Sequence, residues 1–115
     1  MAEINGKIIW PDGPADIVSF TPAAAVTLTV SNMLTYFNAS AAMAAAMTLN
    51  FQNDGQIRAG ARAVVRAASD ATARTITPGT NALGTAEAGV ISKTKVLEFE
   101  YNGTAWVLLN ARQID

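Results

Sequence analysis

The C-terminal stretch KVLEFEYNGTAWVLL, residues 95–109, decides the fold class. Its residues alternate in polarity on both sides of Asn102-Gly103, a pair preferred in two-residue type I′ turns because both positions need φ > 0. We therefore predict a C-terminal β-hairpin, whose loop length sets the register of its strands. The predicted cross-strand pairs are Tyr101 with Thr104, Phe99 with Trp106, and Leu97 with Leu108. The face predicted to point to the core carries Leu97, Phe99, Tyr101, Trp106 and Leu108, and the opposite face carries Val96, Glu98, Glu100, Val107 and Leu109.

Upstream of this hairpin, short runs of alternating polarity predict further strands. They lie at residues 26–30, 33–37, 47–51, 57–68 and 74–77, and turn formers such as Asn53-Asp54-Gly55 separate them. Strands at this spacing predict an all-β fold, a small antiparallel β-sandwich or open barrel spanning residues 26–115. Residues 1–25 contain Pro11, Pro14 and Pro22 and are predicted to form an extended N-terminal arm. The alanine-rich segment Asn38–Met47 is compatible with a short helical turn or with an irregular loop.

The composition removes most catalytic and metal-binding classes. The 115 residues include no cysteine and no histidine, so a Ser-His-Asp or Cys-His nucleophile pair, a disulfide and a Cys/His zinc site are excluded. The formal charge of −1 disfavours binding to nucleic acid or to a membrane surface, and no apolar run reaches the roughly 20 residues of a membrane span. We expect a soluble protein without a signal peptide, without a cofactor or metal, and without enzymatic activity.

Two groups of residues are candidates for contacts with another subunit. Arg58, Arg62 and Arg66 recur every four residues and share one face of the strand predicted at 57–68. There they are expected to pair with carboxylates across an interface; the alternatives are a face open to solvent and binding of a phosphate or a sugar acid. Ile8, Ile9 and Trp10 are candidate apolar anchors in the arm. Charged residues make up 15% of the chain against about 25% in a typical domain, which indicates a surface covered in part by sister subunits or by a larger assembly. A small alanine-rich monomer is the alternative.

Glu98 and Glu100 are the one carboxylate pair at a spacing that suits glycoside hydrolysis, about 6.5–7 Å along a strand. Charges that alternate along the wet face of a strand are common, so we interpret this pair as structural. The aromatic residues Trp10, Tyr36, Tyr101 and Trp106 are a candidate platform for stacking a sugar, but the predicted register assigns Tyr101 and Trp106 to the core.

Three segments, TLNFQNDGQI (48–57), VVRAASDATARTIT (64–77) and the hairpin at 95–109, resemble small β-structured modules of tailed-phage virion proteins. The resemblance spans about two-thirds of the chain and implies a structural, trimeric protein without catalytic residues. The free-standing chain length favours a capsid decoration or auxiliary protein, made in the host cytoplasm and located on the virion. Its expected partners are itself, as a homotrimer, and the major capsid protein or other virion proteins. The alternatives are a tail-fibre or head-fibre module and a carbohydrate-binding module that contacts host glycans.

Overall fold

The computed structural model describes residues 15–115 and the backbone of two short strands that precede them, β1 (Ala2–Ile4) and β2 (Lys7–Ile9). Every regular element in this described part is a β-strand, and it contains no helix, which confirms the all-β class. The remaining strands are β3 (Asp16–Phe20), β4 (Ala25–Val30), β5 (Leu34–Ala39), β6 (Met47–Asn53), β7 (Arg62–Ala68), β8 (Ile76–Pro78), β9 (Ala82–Leu83), β10 (Thr94–Tyr101) and β11 (Trp106–Gln113).

The chain alternates between two sheets from β3 to β8. The six-stranded sheet has the order β3-β5-β7-β10-β11-β9, and the three-stranded sheet has the order β4-β6-β8. Each odd-numbered strand from β3 to β7 enters the larger sheet and each even-numbered strand from β4 to β8 enters the smaller one. Within this segment, neighbouring strands of the same sheet are therefore parallel. β1 and β2 form a separate antiparallel pair.

The prediction of an antiparallel sheet is therefore wrong for most of the strands. In residues 15–115, antiparallel pairing is found between β7 and β10 and between β10 and β11, and the other strand pairs are parallel. Parallel neighbours need a long crossover, which is usually a helix. From β3 to β8 a strand of the other sheet provides each crossover, whereas β9 and β11 are joined through β10 of their own sheet. Polarity alternation reports which face of a strand is buried but not the direction of its neighbours, so the sequence could not distinguish the two arrangements.

Residues of both sheets contribute to one hydrophobic core. Leu28, Leu49 and Phe51 enter it from the three-stranded sheet, and Phe37 and Phe99 enter it from the six-stranded sheet. The ring of Phe51 lies 4.9 Å from that of Phe99, measured between centroids, so aromatic contacts join the two sheets.

The connection between β10 and β11 differs from the predicted two-residue turn. Tyr101 pairs with Trp106 and Phe99 with Leu108, so the loop has four residues, Asn102–Ala105, and the predicted register is wrong by two residues. Asn102 does not adopt the positive φ that a type I′ turn requires. Its Oδ1 instead accepts hydrogen bonds from the backbone N–H groups of Thr104 (2.9 Å) and Ala105 (2.8 Å), which lengthens the loop.

A shift of two residues leaves each side chain on its predicted face, since the side-chain period of a strand is two. Leu97, Phe99 and Trp106 are buried, and Tyr101 and Leu108 pack against the core. On the opposite face Val96 is also buried, at 5% exposure. A bulge between Glu98 and Phe99 resets the pairing, so that Leu97 lies opposite Ala111.

The alanine-rich segment that follows β5 is an irregular loop, the second of the two predicted alternatives. Met43 anchors it: the side chain is 1% exposed, the backbone N–H donates to Ala68 O (2.8 Å), and the carbonyl accepts from Asp70 N (3.2 Å). The segment is thus held against the core by one large side chain among small ones.

β3 lies inside the segment 1–25 that was predicted as an arm. It pairs with β5 along its whole length, and Val18 and Phe20 pack against the core. β3 is therefore an edge strand of the larger sheet, and β4 also begins within this segment, at Ala25.

Candidate functional site

The outward-facing side of the six-stranded sheet carries an exposed apolar row. Ile17 of β3 pairs with Tyr36 of β5, which pairs with Val64 of β7, so the three side chains follow one another across the sheet. Ile17 is 76% exposed and Tyr36 is 37% exposed. We call this side of the sheet, from Ile17 to the C-terminal Ile114, the outer face.

A groove of about 190 Å³ continues this row towards the C-terminus. Tyr36, Val64, Val96 and Ile114 form its apolar part, and Arg66 and Arg112 border it. Ile114 is 43% exposed and is held beside β10 by the hydrogen bond from its N–H to Thr94 O (3.1 Å). The outer face therefore carries an apolar row that runs from the edge strand β3 to β7, and charged side chains on the central strands β7 and β10 and on β11.

Both signs of charge occur on these strands. Arg62 Nη2 lies 2.8 Å from Glu100 Oε2, and Arg112 Nη2 lies 3.9 Å from Glu98 Oε1. These exposed pairs contribute little to stability, because solvent screens them and ordering both side chains costs entropy. Glu98 and Glu100, the carboxylate pair interpreted above as structural, thus lie beside arginines on the outer face.

Asn38 lies in register with Arg66 at one end of the outer face. Its Oδ1 is buried and has no hydrogen-bond partner in the described part of the chain. Leaving a buried acceptor unpaired costs about 1–3 kcal/mol, so such atoms in folded proteins usually have a partner. A cavity of about 290 Å³ adjoins this residue, and Arg66 and Thr94 also line it.

The structure brings together two of the three predicted arginines. Arg62 and Arg66 project from β7 onto the outer face, but Arg58 lies in the preceding loop, away from that strand. The predicted strand at 57–68 starts late because Gly60 has a φ of 98°, a left-handed conformation that interrupts a strand. Arg58 therefore does not share a strand face with the other two.

The structure describes only the backbone of two of the three predicted arm anchors. Ile8 and Ile9 belong to β2, where their backbones pair with Glu3 and Ala2. The side chains of both isoleucines, and the whole of Trp10, lie outside the described residues.

Asp70 and Arg74 form a local ion pair away from the outer face. Arg74 donates from Nε and Nη2 to the two carboxylate oxygens of Asp70, both at 2.9 Å. These hydrogen bonds, with that from Thr72 N, lower the pKa of Asp70 below its ordinary value. Among the residues that the structure describes, no group of three or more carboxylates could hold a metal ion. In that same part there is also no helix of the length and hydropathy needed to cross a bilayer.

A second candidate site lies at the seam between the two sheets, where β6 approaches β11. Six residues line a cavity of about 220 Å³, which we call the amide pocket: Phe51, Asn53, Asn81, Tyr101, Thr104 and Trp106. The Trp106 ring stacks on Phe51 at 5.4 Å and an interplanar angle of 24°, and lies 5.2 Å from the Tyr101 ring. The predicted aromatic platform is thus divided, because Tyr36 is on the outer face.

Asn53 and Asn81 are site residues that the sequence did not single out. Asn53 Oδ1 accepts from Trp106 Nε1 at 2.8 Å, and Asn81 Nδ2 donates to Phe51 O at 2.9 Å. The only sequence signal for Asn53 was its position in a turn, and Asn81 carried none. The chain's crossover between the two sheets brings Asn53 and Asn81 together, and no local sequence pattern predicts that crossover.

No protein-family model matches the chain, and a search of curated proteins finds no match either.

Proposed function

We propose that this chain is a structural protein of a tailed-phage virion, a capsid decoration or auxiliary protein that forms a homotrimer and bridges capsid subunits. The sequence resemblance supports the virion assignment. The observation that carries self-association is the outer face, with its exposed apolar row and its neighbouring side chains of both charges. A protein that bridges capsid subunits binds only the assembled head. Its binding free energy would therefore stabilise the head against disassembly.

The composition of the outer face suits a contact with another copy of the chain. Tyrosine and arginine are enriched among the residues that contribute most to protein interfaces, and Tyr36 lies between Ile17 and the arginine-bordered groove. Arg62 and Arg66 on the one hand and Glu98 and Glu100 on the other allow opposite charges to meet when two copies associate. A donor from a neighbouring copy would also satisfy the buried Oδ1 of Asn38.

A closed trimer requires two different surfaces on each subunit, because each copy contacts one neighbour with one surface and the other neighbour with the second. The outer face is one such surface. The edge of β3 is the other, since β5 is its one partner strand in the described part of the chain and the four residues after Asp16 are uncharged, whereas edges are commonly protected by charges.

The finer architecture is part of this proposal. In it, the two sheets form a small sandwich, and the segment that precedes β3 acts as an arm that contacts the capsid. The two sheets sharing one core supports the sandwich.

The test of self-association compares two isoleucine-to-glutamate variants by light scattering coupled to gel filtration. Ile17→Glu places a charge on the outer face, and Ile91→Glu makes the same change at a 56% exposed position in the loop before β10. We expect a trimer for the parent chain and for Ile91→Glu, and monomers for Ile17→Glu. A monomeric parent chain, or equal behaviour of the two variants, would contradict the proposal. Circular dichroism verifies that both variants fold.

The virion assignment needs a separate measurement. Mass spectrometry of density-purified particles of the phage that encodes the chain should detect it at a constant ratio to the major capsid protein. Electron microscopy with a specific antibody should label the head, whereas labelled tails would support the fibre alternative instead. Absence of the chain from purified particles would refute the assignment.

A further inference from the structure

The amide pocket has the chemistry of a ligand site that the proposed structural role does not use. All six of its lining residues are uncharged, and all except Phe51 carry a polar side-chain group. Phosphate-bearing ligands are commonly bound by Lys or Arg, and neither lines the cavity. The lining therefore favours a neutral ligand.

The two amides are oriented by hydrogen bonds within the protein. Because Asn53 Oδ1 accepts from the Trp106 indole, its Nδ2 group remains as a donor. Because Asn81 Nδ2 is engaged by Phe51 O, its Oδ1 remains as an acceptor. The backbone of Asn81 is held as well, since its carbonyl accepts from Trp106 N at 2.8 Å. Because this donor and this acceptor are already held in place, less side-chain conformational entropy is lost when a ligand binds.

The hydroxyl groups complete a mixed set of donors and acceptors. Tyr101 Oη donates to Gly103 O at 3.1 Å and can still accept, and the Thr104 hydroxyl lies on the exposed loop between β10 and β11. The half-buried Tyr101 ring, backed by the Trp106 and Phe51 rings, supplies a rigid aromatic surface next to these groups. Vicinal hydroxyls on an apolar ring match this combination of alternating hydrogen-bonding groups and aromatic surface.

The size of the cavity limits the ligand. Its volume of about 220 Å³ is the share of about seven waters in the liquid, at roughly 30 Å³ each, and is below the roughly 300 Å³ at which drug-sized pockets begin. We infer that the amide pocket binds one ring of a neutral saccharide. A ligand of this size is expected to bind with a dissociation constant of about 1 mM.

The test is a titration of the ¹⁵N-labelled full chain followed by NMR. The probes are methyl α-glucopyranoside, methyl α-mannopyranoside and methyl β-galactopyranoside, with inorganic phosphate as a charged comparison. We expect at least one sugar to give saturable shifts of the Trp106 indole N–H and of the side-chain amides of Asn53 and Asn81. Phosphate should leave these signals unchanged.

A matched pair of glycine variants tests the assignment of the site. Asn81 and Ser92 are the two non-glycine residues with positive φ in the described part, at 60° and 58°, and glycine adopts this conformation without strain. Asn81→Gly removes the acceptor and should weaken sugar binding about five- to tenfold, whereas Ser92→Gly, outside the pocket, should leave binding unchanged. If Asn81→Gly does not fold, Thr104→Val on the exposed loop replaces it, and we expect it to weaken binding in the same direction.

Three outcomes would overturn the inference: no saturable shift with any of the three sugars, shifts that map away from the amide pocket, or equal affinities of the Asn81→Gly and Ser92→Gly proteins. Phosphate shifting the pocket signals in place of the sugars would also overturn it, because the ligand would then be an anion. Because the titration follows individual atoms of the pocket, it gives its answer whether or not the chain forms a trimer.

Discussion

Replacing Met43 by alanine tests whether the alanine-rich loop is held in place by that one side chain. Truncation removes three buried non-hydrogen atoms beyond Cβ, and at about 0.8 kcal/mol for each buried methylene-sized group the loss is about 2.4 kcal/mol before any cavity forms. The surrounding core relaxes only in part, so the full cost lies at about 2–5 kcal/mol. Met33, which is 40% exposed, provides the same substitution outside the core, and there we expect about 1 kcal/mol or less.

The assay is reversible unfolding in urea and by heat, with the parent chain and both alanine variants measured side by side. At about 4 °C for each kcal/mol in a chain of this size, Met43→Ala should lower Tm by about 8–20 °C. The slope of the urea transition should stay constant, since both variants expose the same surface on unfolding. If Met43→Ala and Met33→Ala have equal cost, the loop is not anchored in the core and the reasoning is refuted.

Three further predictions address the ion pair and two turns. The folded-state pKa of Asp70 is lowered, chiefly by the hydrogen bond from Arg74. The ion pair therefore stabilises the fold above about pH 4, and this contribution is lost as the pH falls through the folded-state pKa. Asp70→Asn should flatten the acid side of the Tm–pH profile. Gly84→Ala should cost about 1–3 kcal/mol in urea unfolding, because φ is 150° and the new Cβ would lie 2.7 Å from Leu108 Cβ. Asn102→Ala removes two hydrogen bonds from the loop between β10 and β11 and should cost about 1–2 kcal/mol by the same assay.

Each of these predictions has a control in the same chain. Asp54→Asn makes the same change at an exposed position that is not part of an ion pair in the described residues, and should leave the pH profile unchanged. Gly55→Ala also meets a positive φ, of 78°, but no atom lies within 4 Å of the new Cβ, so it should cost less than Gly84→Ala. Asn110→Ala, exposed on β11, serves as the control for Asn102→Ala. Equal costs within either turn pair, or an acid profile of Asp70→Asn identical to that of the parent chain, would count against the corresponding argument.

The sequence predicts the buried face of each strand better than the partners of the strand. Leu97 and Phe99 are buried as their alternation indicates, because period-two polarity responds directly to burial. The direction of pairing depends instead on where the chain goes between strands. No feature of the residues between Phe20 and Leu34 indicates that β4 belongs to a different sheet from β3 and β5. The sequence therefore does not predict the parallel arrangement.

Local hydrogen bonds explain the remaining differences in the strands. Asn102-Gly103 suits a two-residue turn by propensity, but the Asn102 side chain finds two backbone N–H donors only when the loop has four residues. Tyr101 and Trp106 of the amide pocket were recognised in the sequence as part of a candidate aromatic platform. Asn53 and Asn81 were not recognised, because only the tertiary structure brings them next to these rings.

Single substitutions should affect one proposed function without the other, because self-association and sugar binding use opposite sides of the six-stranded sheet. Tyr101 and Trp106 lie on its core-facing side, at the seam with the smaller sheet, whereas Ile17 points outward from β3. A copy bound to the outer face would therefore leave the amide pocket open. We expect Ile17→Glu to abolish the trimer and keep the affinity for sugar, and Asn81→Gly to weaken sugar binding and keep the trimer. If either variant changed both properties, the pocket and the contact face would be coupled, and self-association and ligand binding would have to be treated as one function.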